Sequence, residues 1–290
     1  MIEIKIGENE ENQRLDKFLR KYLPNAPLSY IYRIVRKKNV KLNGRKADID
    51  TILEAGDILF LYLSEEETEG FKDKKKVIKV RKQFKVAYED ENILVVEKPK
   101  GLLVHGTIDE RKNTLVNQVC SYLQQKGDYD PDREKTFVPA AVNRLDRNTS
   151  GLVIFGKNYK SLQALNEMFR EKTYIHKYYM TIVYGHVTKP MHIKGKLFKD
   201  EEKNKVYLVR DKDKTTKEVE TIFKPLMSNG MYTLLEVELI TGRTHQIRAH
   251  LADAGYPLLG DEKYGNRKIN EKIKKEFGLK DAECTNGNCL

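Results

Sequence analysis

Ala141-Val142-Asn143-Arg144-Leu145-Asp146-Arg147-Asn148-Thr149-Ser150-Gly151, followed at once by the apolar run Leu152-Val153-Ile154-Phe155, is the stretch from which the rest of the chain is read. It sets one carboxylate between two guanidinium groups and passes through a turn signal, Asn148 to Gly151, into a strand. An acid at a strand-entry turn, flanked by fixed positive charge, is expected to stay ionised and open to a ligand. Alone, the stretch reads first as a solvated surface loop with salt bridges, as most charged loops are. Its company elsewhere in the chain changes that reading.

The chain has 290 residues, enough for two domains. Hydrophobic residues make up 39%, and no apolar run approaches a membrane span. The start, Met1-Ile2-Glu3-Ile4-Lys5, lacks the basic-then-apolar pattern of a signal peptide. Three cysteines, Cys120, Cys284 and Cys289, give no disulfide framework, so a soluble protein of the reduced cytoplasm is expected. Cys284 and Cys289 could pair around a metal or in redox chemistry, but no partner motif accompanies them and a disordered tail is expected there.

Net charge is +11. Between Arg14 and Lys46 stand eleven basic residues and one acid, Asp16, so this window alone carries +10. Such a concentration points to a polyanion. An anionic membrane would want Trp among the apolar anchors of a helix, and the chain has no Trp.

Within that window Leu15, Phe18, Leu19, Tyr22 and Leu23 fall at helical spacing, with Arg14, Lys17, Arg20 and Lys21 outside. Asn12 is a candidate cap and Pro24 a stop. Ser29 is a candidate cap for a second helix with Ile31, Ile34 and Val35 inward and Arg33, Arg36 and Lys37 outward. Val40-Lys41-Leu42 alternates, Asn43-Gly44 predicts a tight turn, and Ile58 to Leu63 a strand. The blocks Arg14-Leu15-Asp16-Lys17-Phe18-Leu19, Arg36-Lys37-Lys38-Asn39-Val40-Lys41-Leu42-Asn43-Gly44 and Gly56-Asp57 resemble the S4 RNA-binding module, shared by ribosomal small-subunit protein four and many RNA-modifying enzymes. That resemblance implies RNA contacts by Arg14, Lys17, Arg33, Arg36, Lys37, Lys38 and Lys41, with an affinity that falls steeply with salt.

Residues 65–80 are charged and read as a linker. Beyond it, strands are predicted at Val86–Tyr88 and Ile93–Val96, turns at 89–92 and 98–101, and helices over 113–125 and 159–170. A β-rich stretch, 177–185, precedes alternating segments over 191–224 and a strand from Met231 to Ile240. Thr241-Gly242-Arg243-Thr244-His245-Gln246-Ile247-Arg248-Ala249-His250-Leu251 reads as a strand-to-helix corner, and 260–265 closes the domain. The tail that follows reads as polar and mobile.

Some patterns mislead. Gly151 to Gly156-Lys157 has phosphate-loop spacing, but its interior is a strand and Asn158 stands where Ser or Thr is needed. No Gly-x-Gly-x-x-Gly marks a nucleotide or S-adenosylmethionine site. No histidine pair has zinc spacing, and no Gly-x-Ser-x-Gly elbow frames Ser150. With metal and cofactor signals absent, catalysis would rest on Asp146, on Arg144, Arg147 and Arg248, and on tyrosines.

Four blocks in order resemble the RluA-type pseudouridine synthase family, whose members isomerise uridine in RNA: Asp90 to His105, Asn143 to Leu152, Lys177-Tyr178-Tyr179 to Gly185, and Thr241 to His250. With the basic module, the resemblance spans nearly all of residues 12–265. It implies that Asp146 is the catalytic aspartate, that Arg248 pairs with it, that Tyr179 stacks on the target base and that Arg144 helps push the base out. Arg147 and His245 fall in the same RNA-facing blocks. Many members carry His where Asn143 stands; Asn can still donate and accept hydrogen bonds. Tyr179 can also be read as a core strand residue, and Asp146 as nucleophile or as base.

The expected architecture is α+β: an S4-like module over 1–64, the linker over 65–80, a catalytic domain over 81–265 on a mixed, mainly antiparallel β-sheet flanked by helices, and a polar tail over 266–290. The expected protein is a cytoplasmic monomer without cofactor or metal, acting on RNA, either 23S rRNA or a pre-ribosomal particle. The alternatives are a synthase acting on tRNA and a non-catalytic ribosome-assembly factor.

Overall fold

The computed structural model describes residues 1–72, 77–171, 174–209 and 216–276. These form two compact units. The first comprises Met1–Val95, His105–Val142 and Ile154–Asn166, and the second Val96–Val104, Asn143–Val153 and Glu167 onward.

The first unit opens with β1 (Ile2–Lys5), α1 (Leu15–Tyr22), α2 (Leu28–Arg36), β2 (Val40–Leu42), β3 (Arg45–Lys46), β4 (Ile58–Leu61) and α3 (Glu65–Phe71). The strands form one antiparallel sheet in the order β1-β4-β2-β3. Leu15, Phe18 and Leu19 of α1 and Ile31 and Ile34 of α2 sit at i, i+3 and i+4 spacing and are buried against Leu59 and Leu61. Asn43 and Gly44 both take positive φ, 50° and 77°, the pairing a two-residue hairpin requires.

Three details of this module differ from the sequence reading. Asn12 does not cap α1; it takes a left-handed φ of 59°, and Arg14 occupies the cap position without a side-chain bond. Pro27 rather than Ser29 occupies the cap position of α2, which begins at Leu28. The first part of the stretch read as a linker is helical: Ser64 and Glu67 form a reciprocal capping box, Thr68 is buried and Phe71 packs on the module core. Residues 73–76 of that stretch lie outside the described residues.

The chain continues through β5 (Lys85–Glu89), β6 (Ile93–Lys98), α4 (Leu115–Lys126), β7 (Ala140–Ala141), β8 (Gly151–Gly156) and α5 (Tyr159–Glu171), with strand order β5-β6-β8-β7. Thr114 caps α4 by accepting from the Asn117 amide, and Gly127 ends it at φ 86°. Lys157, the lysine of the false phosphate loop, is buried and pairs with Glu89 and Asp128 at 3.0 and 2.7 Å.

The second unit is built on β9 (Tyr178–Tyr184), β10 (Met191–Asp200), β11 (Lys205–Val209), β12 (Lys217–Ser228) and β13 (Tyr232–Leu239), an antiparallel sheet in the order β11-β10-β12-β13-β9. Burial along β13 alternates strictly, with Thr233, Leu235, Val237 and Leu239 inward. Helix α6 (Gln246–Asp253) contributes Ile247 and Leu251 to the same core. Fully burying side chains of that size stabilises by roughly 1.5–3 kcal/mol each. Part of the region read as a polar tail is α7 (Arg267–Glu276), anchored by buried Ile273 and by Asn270, which accepts from the Gly260 amide and donates to the Asp261 carbonyl, both at 3.1 Å. Cys284 and Cys289 lie outside the described residues.

Candidate active site

Asp146, Tyr179 and Arg248, the residues that the resemblance singles out, all lie within the second unit. Asp146 sits half-buried in the loop before β8. Several ties hold that loop. The Thr149 amide donates to the Asp146 carbonyl at 3.1 Å, and the Gly101 amide to the Arg147 carbonyl at 2.8 Å. Asn143 Nδ2 donates to the Leu152 carbonyl at 3.0 Å. Leu145 is buried, and Gly151 turns the chain into β8 at φ 136°, a conformation side chains rarely adopt.

Lys98 lies beneath the loop, 1% exposed, and its ammonium donates to the carbonyls of Pro99, Leu102 and Arg147 at 2.9, 2.8 and 3.1 Å. Burial pushes its pKa down to about 8, against the upward pull of the Asp146 charge.

Tyr179 is on the edge strand β9, paired in register with Val237, and faces the core that α6 covers; its neighbours Tyr178 and Met180 face out. Burial and then the Asp146 charge raise the pKa of its hydroxyl. Tyr179 thus packs on the core, as a strand residue would, and lies within the field of Asp146.

Arg248 departs from expectation. Its Nε and Nη2 donate to Asp261 Oδ2 and Oδ1 at 2.7 and 2.8 Å, a bidentate pair with the Asp261 side chain fully buried. Asp146 acts on Arg248 only through its field: burial disfavours the guanidinium charge, and Asp261, helped by Asp146, raises its pKa regardless. Among the described residues no ion pair within 4.0 Å includes Asp146. The same carboxylate acts on His245 and Lys263. Arg144 and Arg147 flank it, both exposed.

The corner before α6 is built by Gln246, 2% exposed. Its side chain accepts from the Arg243 amide and from Thr241, and donates to Thr221 and to the Glu220 carbonyl. This places His245 at a left-handed φ of 54°. Lys98, Gln246, Asp261, Lys263 and Tyr264 had no assigned part from sequence. All five stand in or beside the blocks that carried the resemblance, and Gly260 to Gly265 was the unused signal.

In the basic module Lys17, Arg33, Arg36, Lys37 and Lys38 are exposed. Arg14 is tied to Asp16 at 3.0 Å, and Lys41 lies over the Tyr62 ring. Ser29, Tyr32, Arg33, Arg36 and Lys46 line a cavity of about 570 Å³ between α2 and the segment after β3. Among the described residues no cluster of His, Cys, Asp and Glu could hold a metal ion, and no helix is long and apolar enough to cross a membrane.

The sequence model described as RNA pseudouridylate synthase matches residues 92–253, the span holding Asp146, Tyr179, His245 and Arg248. The chain belongs to the RNA pseudouridylate synthase family. The S4 domain model matches residues 13–59. Ribosomal large subunit pseudouridine synthase C of Vibrio cholerae is 32% identical over 280 residues, covering 95% of this chain and 84% of its own. An uncharacterized RNA pseudouridine synthase of Mycoplasma capricolum is 34% identical, covering 92% and 86%. The structure of human RNA pseudouridylate synthase domain containing 4 superposes with a TM-score of 0.53 at 24% identity over 69% of this chain and 78% of its own, a likeness of fold. The chain is thus an RNA pseudouridine synthase, an isomerase, with an N-terminal S4 domain on an α+β architecture.

Proposed function

We propose that this pseudouridine synthase converts uridines of large-subunit (23S) rRNA, free or in a pre-ribosomal particle, with Asp146 as the catalytic carboxylate. The observation that carries the site assignment is that Lys98, Tyr179, His245, Arg248 and Lys263 all feel the charge of Asp146 within one unit. The reaction detaches uracil from the anomeric carbon, turns it and rejoins it through carbon five. It is redox-neutral, and a carboxylate beside the sugar can act as nucleophile or remove a proton. A stacked uridine is out of reach, so the base must leave the helix at a cost of a few kcal/mol. Stacking on Tyr179 would return ~1–3 kcal/mol, and the exposed Arg144 would fill the gap. Arg248, fixed by Asp261, supplies a positive field rather than a direct partner.

The rRNA preference is supported by the S4 module and by the names of the relatives. On this reading the enzyme works as a monomer in the cytoplasm, where an rRNA substrate is made and assembled. The experiment is Asp146→Asn with rRNA transcript tritiated at carbon five of uridine. Tritium release should fall by at least three orders of magnitude while RNA binding stays within about twofold, as expected for a group acting in the chemical step. Loss of binding together with activity would assign Asp146 to structure instead.

A further inference from the structure

His245 stands next to the site with one ring nitrogen engaged and the other without a hydrogen-bond partner among the described residues. Its Nδ1 lies 3.0 Å from Tyr264 Oη, the rings edge-on with centroids 5.6 Å apart. Tyr264 is 9% exposed, and its Oη already accepts from the Val206 amide at 2.8 Å. A phenol has one proton to donate. Among the described residues that hydroxyl meets no other acceptor, so its proton goes to Nδ1. A proton on Nδ1 instead would leave the buried hydroxyl with nowhere to donate. The ring therefore carries its own hydrogen on Nε2.

Two further constraints narrow what Nε2 can do. The left-handed backbone at His245, clamped by Gln246, limits the ring's reorientation. The charged groups around it are Arg248, Asp146, Lys263 and Asp261; burial, with Arg248 next, holds the imidazole neutral, its pKa pushed down to about 4. A neutral donor in the field of Asp146 suits a carbonyl better than a phosphate, for which the exposed guanidiniums of Arg144 and Arg147 are the stronger partners.

We infer that His245 donates a hydrogen bond from Nε2 to a carbonyl oxygen of the target uracil, and that Tyr264 is a positioning residue that fixes the required tautomer. The inference rests on the assignment of the reaction to the Asp146 site and adds a substrate contact to it.

Nitrogen-15 NMR of the free protein reads the tautomer directly. The wild type should show the Nε2–H form, and Tyr264→Phe should add an Nδ1–H population. Kinetics on tritiated rRNA transcript should show kcat/KM reduced roughly tenfold in His245→Leu, the scale of one lost hydrogen bond. It should return to within about threefold of wild type in His245→Gln, which keeps a donor. The salt dependence of KM should be the same in wild type and His245→Leu, with matched melting curves. An Nδ1–H wild type, a folded His245→Leu with wild-type kcat/KM, or a Gln variant no better than Leu overturns the inference. A salt slope lowered by one phosphate's worth moves the contact to the backbone and overturns the base assignment. Wild-type protein that releases no tritium sinks the reaction assignment, whereas wild-type turnover with an indifferent Leu variant sinks only the role of His245.

Discussion

Lys98 has three hydrogens to give, and three backbone carbonyls take them. Two belong to the turn after β6 and one to Arg147, so a single buried ammonium ties that turn to the loop carrying Asp146. Lys98→Met keeps most of the stem volume but takes the ammonium donor from the Pro99 and Leu102 carbonyls, while the Arg147 carbonyl keeps only the Gly101 amide. An unsatisfied buried acceptor costs roughly 1–3 kcal/mol, part of which solvent can recover as the loop loosens. The expected result is a melting temperature several degrees lower and kcat down by about tenfold or more, with RNA affinity nearly unchanged, because Asp146 shifts while the basic module does not. Thermal melts and single-turnover kinetics check this; equal losses in affinity and rate would argue that Lys98 serves RNA binding rather than the loop. Sequence could not assign this role. A lysine before a Pro-x-Gly turn looks like any surface cation, and only the fold shows it buried.

At the level of elements, legibility followed hydrophobic periodicity. Helices α1, α2 and α4 and strand β13 were readable, because each buries one face or stripe; α5 was placed by its apolar spacing, although none of its residues is fully buried. The misread pieces combine polar contacts with a single apolar anchor, Phe71 in α3 and Ile273 in α7. Helix α3 depends on a capping box and on Thr68 and Phe71, two contacts that a charged composition hides. Helix α7 is fastened by Asn270 to the Gly260–Asp261 turn. The Arg248–Asp261 pair spans thirteen residues, and sequence gives no rule for choosing it over Asp146. Helix α6 adds a pH effect. His250 is fully buried against Phe223, with neither ring nitrogen partnered among the described residues, and burial pushes its pKa down to about 4. The unfolded chain takes up the proton near 6.5, so the stabilising neutral state is intact above that pH and is lost as pH falls from about 6.5 towards 4. His250→Leu should therefore flatten the decline of unfolding free energy over that window by up to about 1.4 kcal/mol per pH unit. Urea titrations at several pH values read the slope; identical slopes in the two proteins would show that His250 does not carry the effect.

On the scale of the whole molecule, charge and contacts divide the labour. The basic window of the S4 module holds nearly all of the net charge of +11. Replacing Arg33, Arg36 and Lys37 together by Gln should weaken RNA binding uniformly across sequences and lower the salt slope by about 2, if each contacts one phosphate. The module is also joined to the body of its own unit. Asn9 donates to Glu134 at 2.8 Å and accepts from the Tyr159 amide at 2.9 Å. Lys21 lies over the Tyr159 ring. Glu10, 3% exposed, accepts from the Gly7, Lys135 and Thr136 amides, each at 3.2 Å. Releasing the module would exchange the Lys135 and Thr136 amides for water at that carboxylate, so these hydrogen bonds favour the docked arrangement by the modest net worth of such bonds, roughly 1.5–3 kcal/mol each where the acceptor is charged. Glu10→Ala should remove the carboxylate that accepts from the amides of Lys135 and Thr136, at a cost of about 2 kcal/mol. Hydrogen exchange at those two amides should then speed up by more than tenfold, while exchange within α1 and α2 stays as it was, since their core of Leu15, Phe18 and Ile31 does not include Glu10. Unchanged protection at 135 and 136 would mean that Glu10 does not hold the module to the body of its unit.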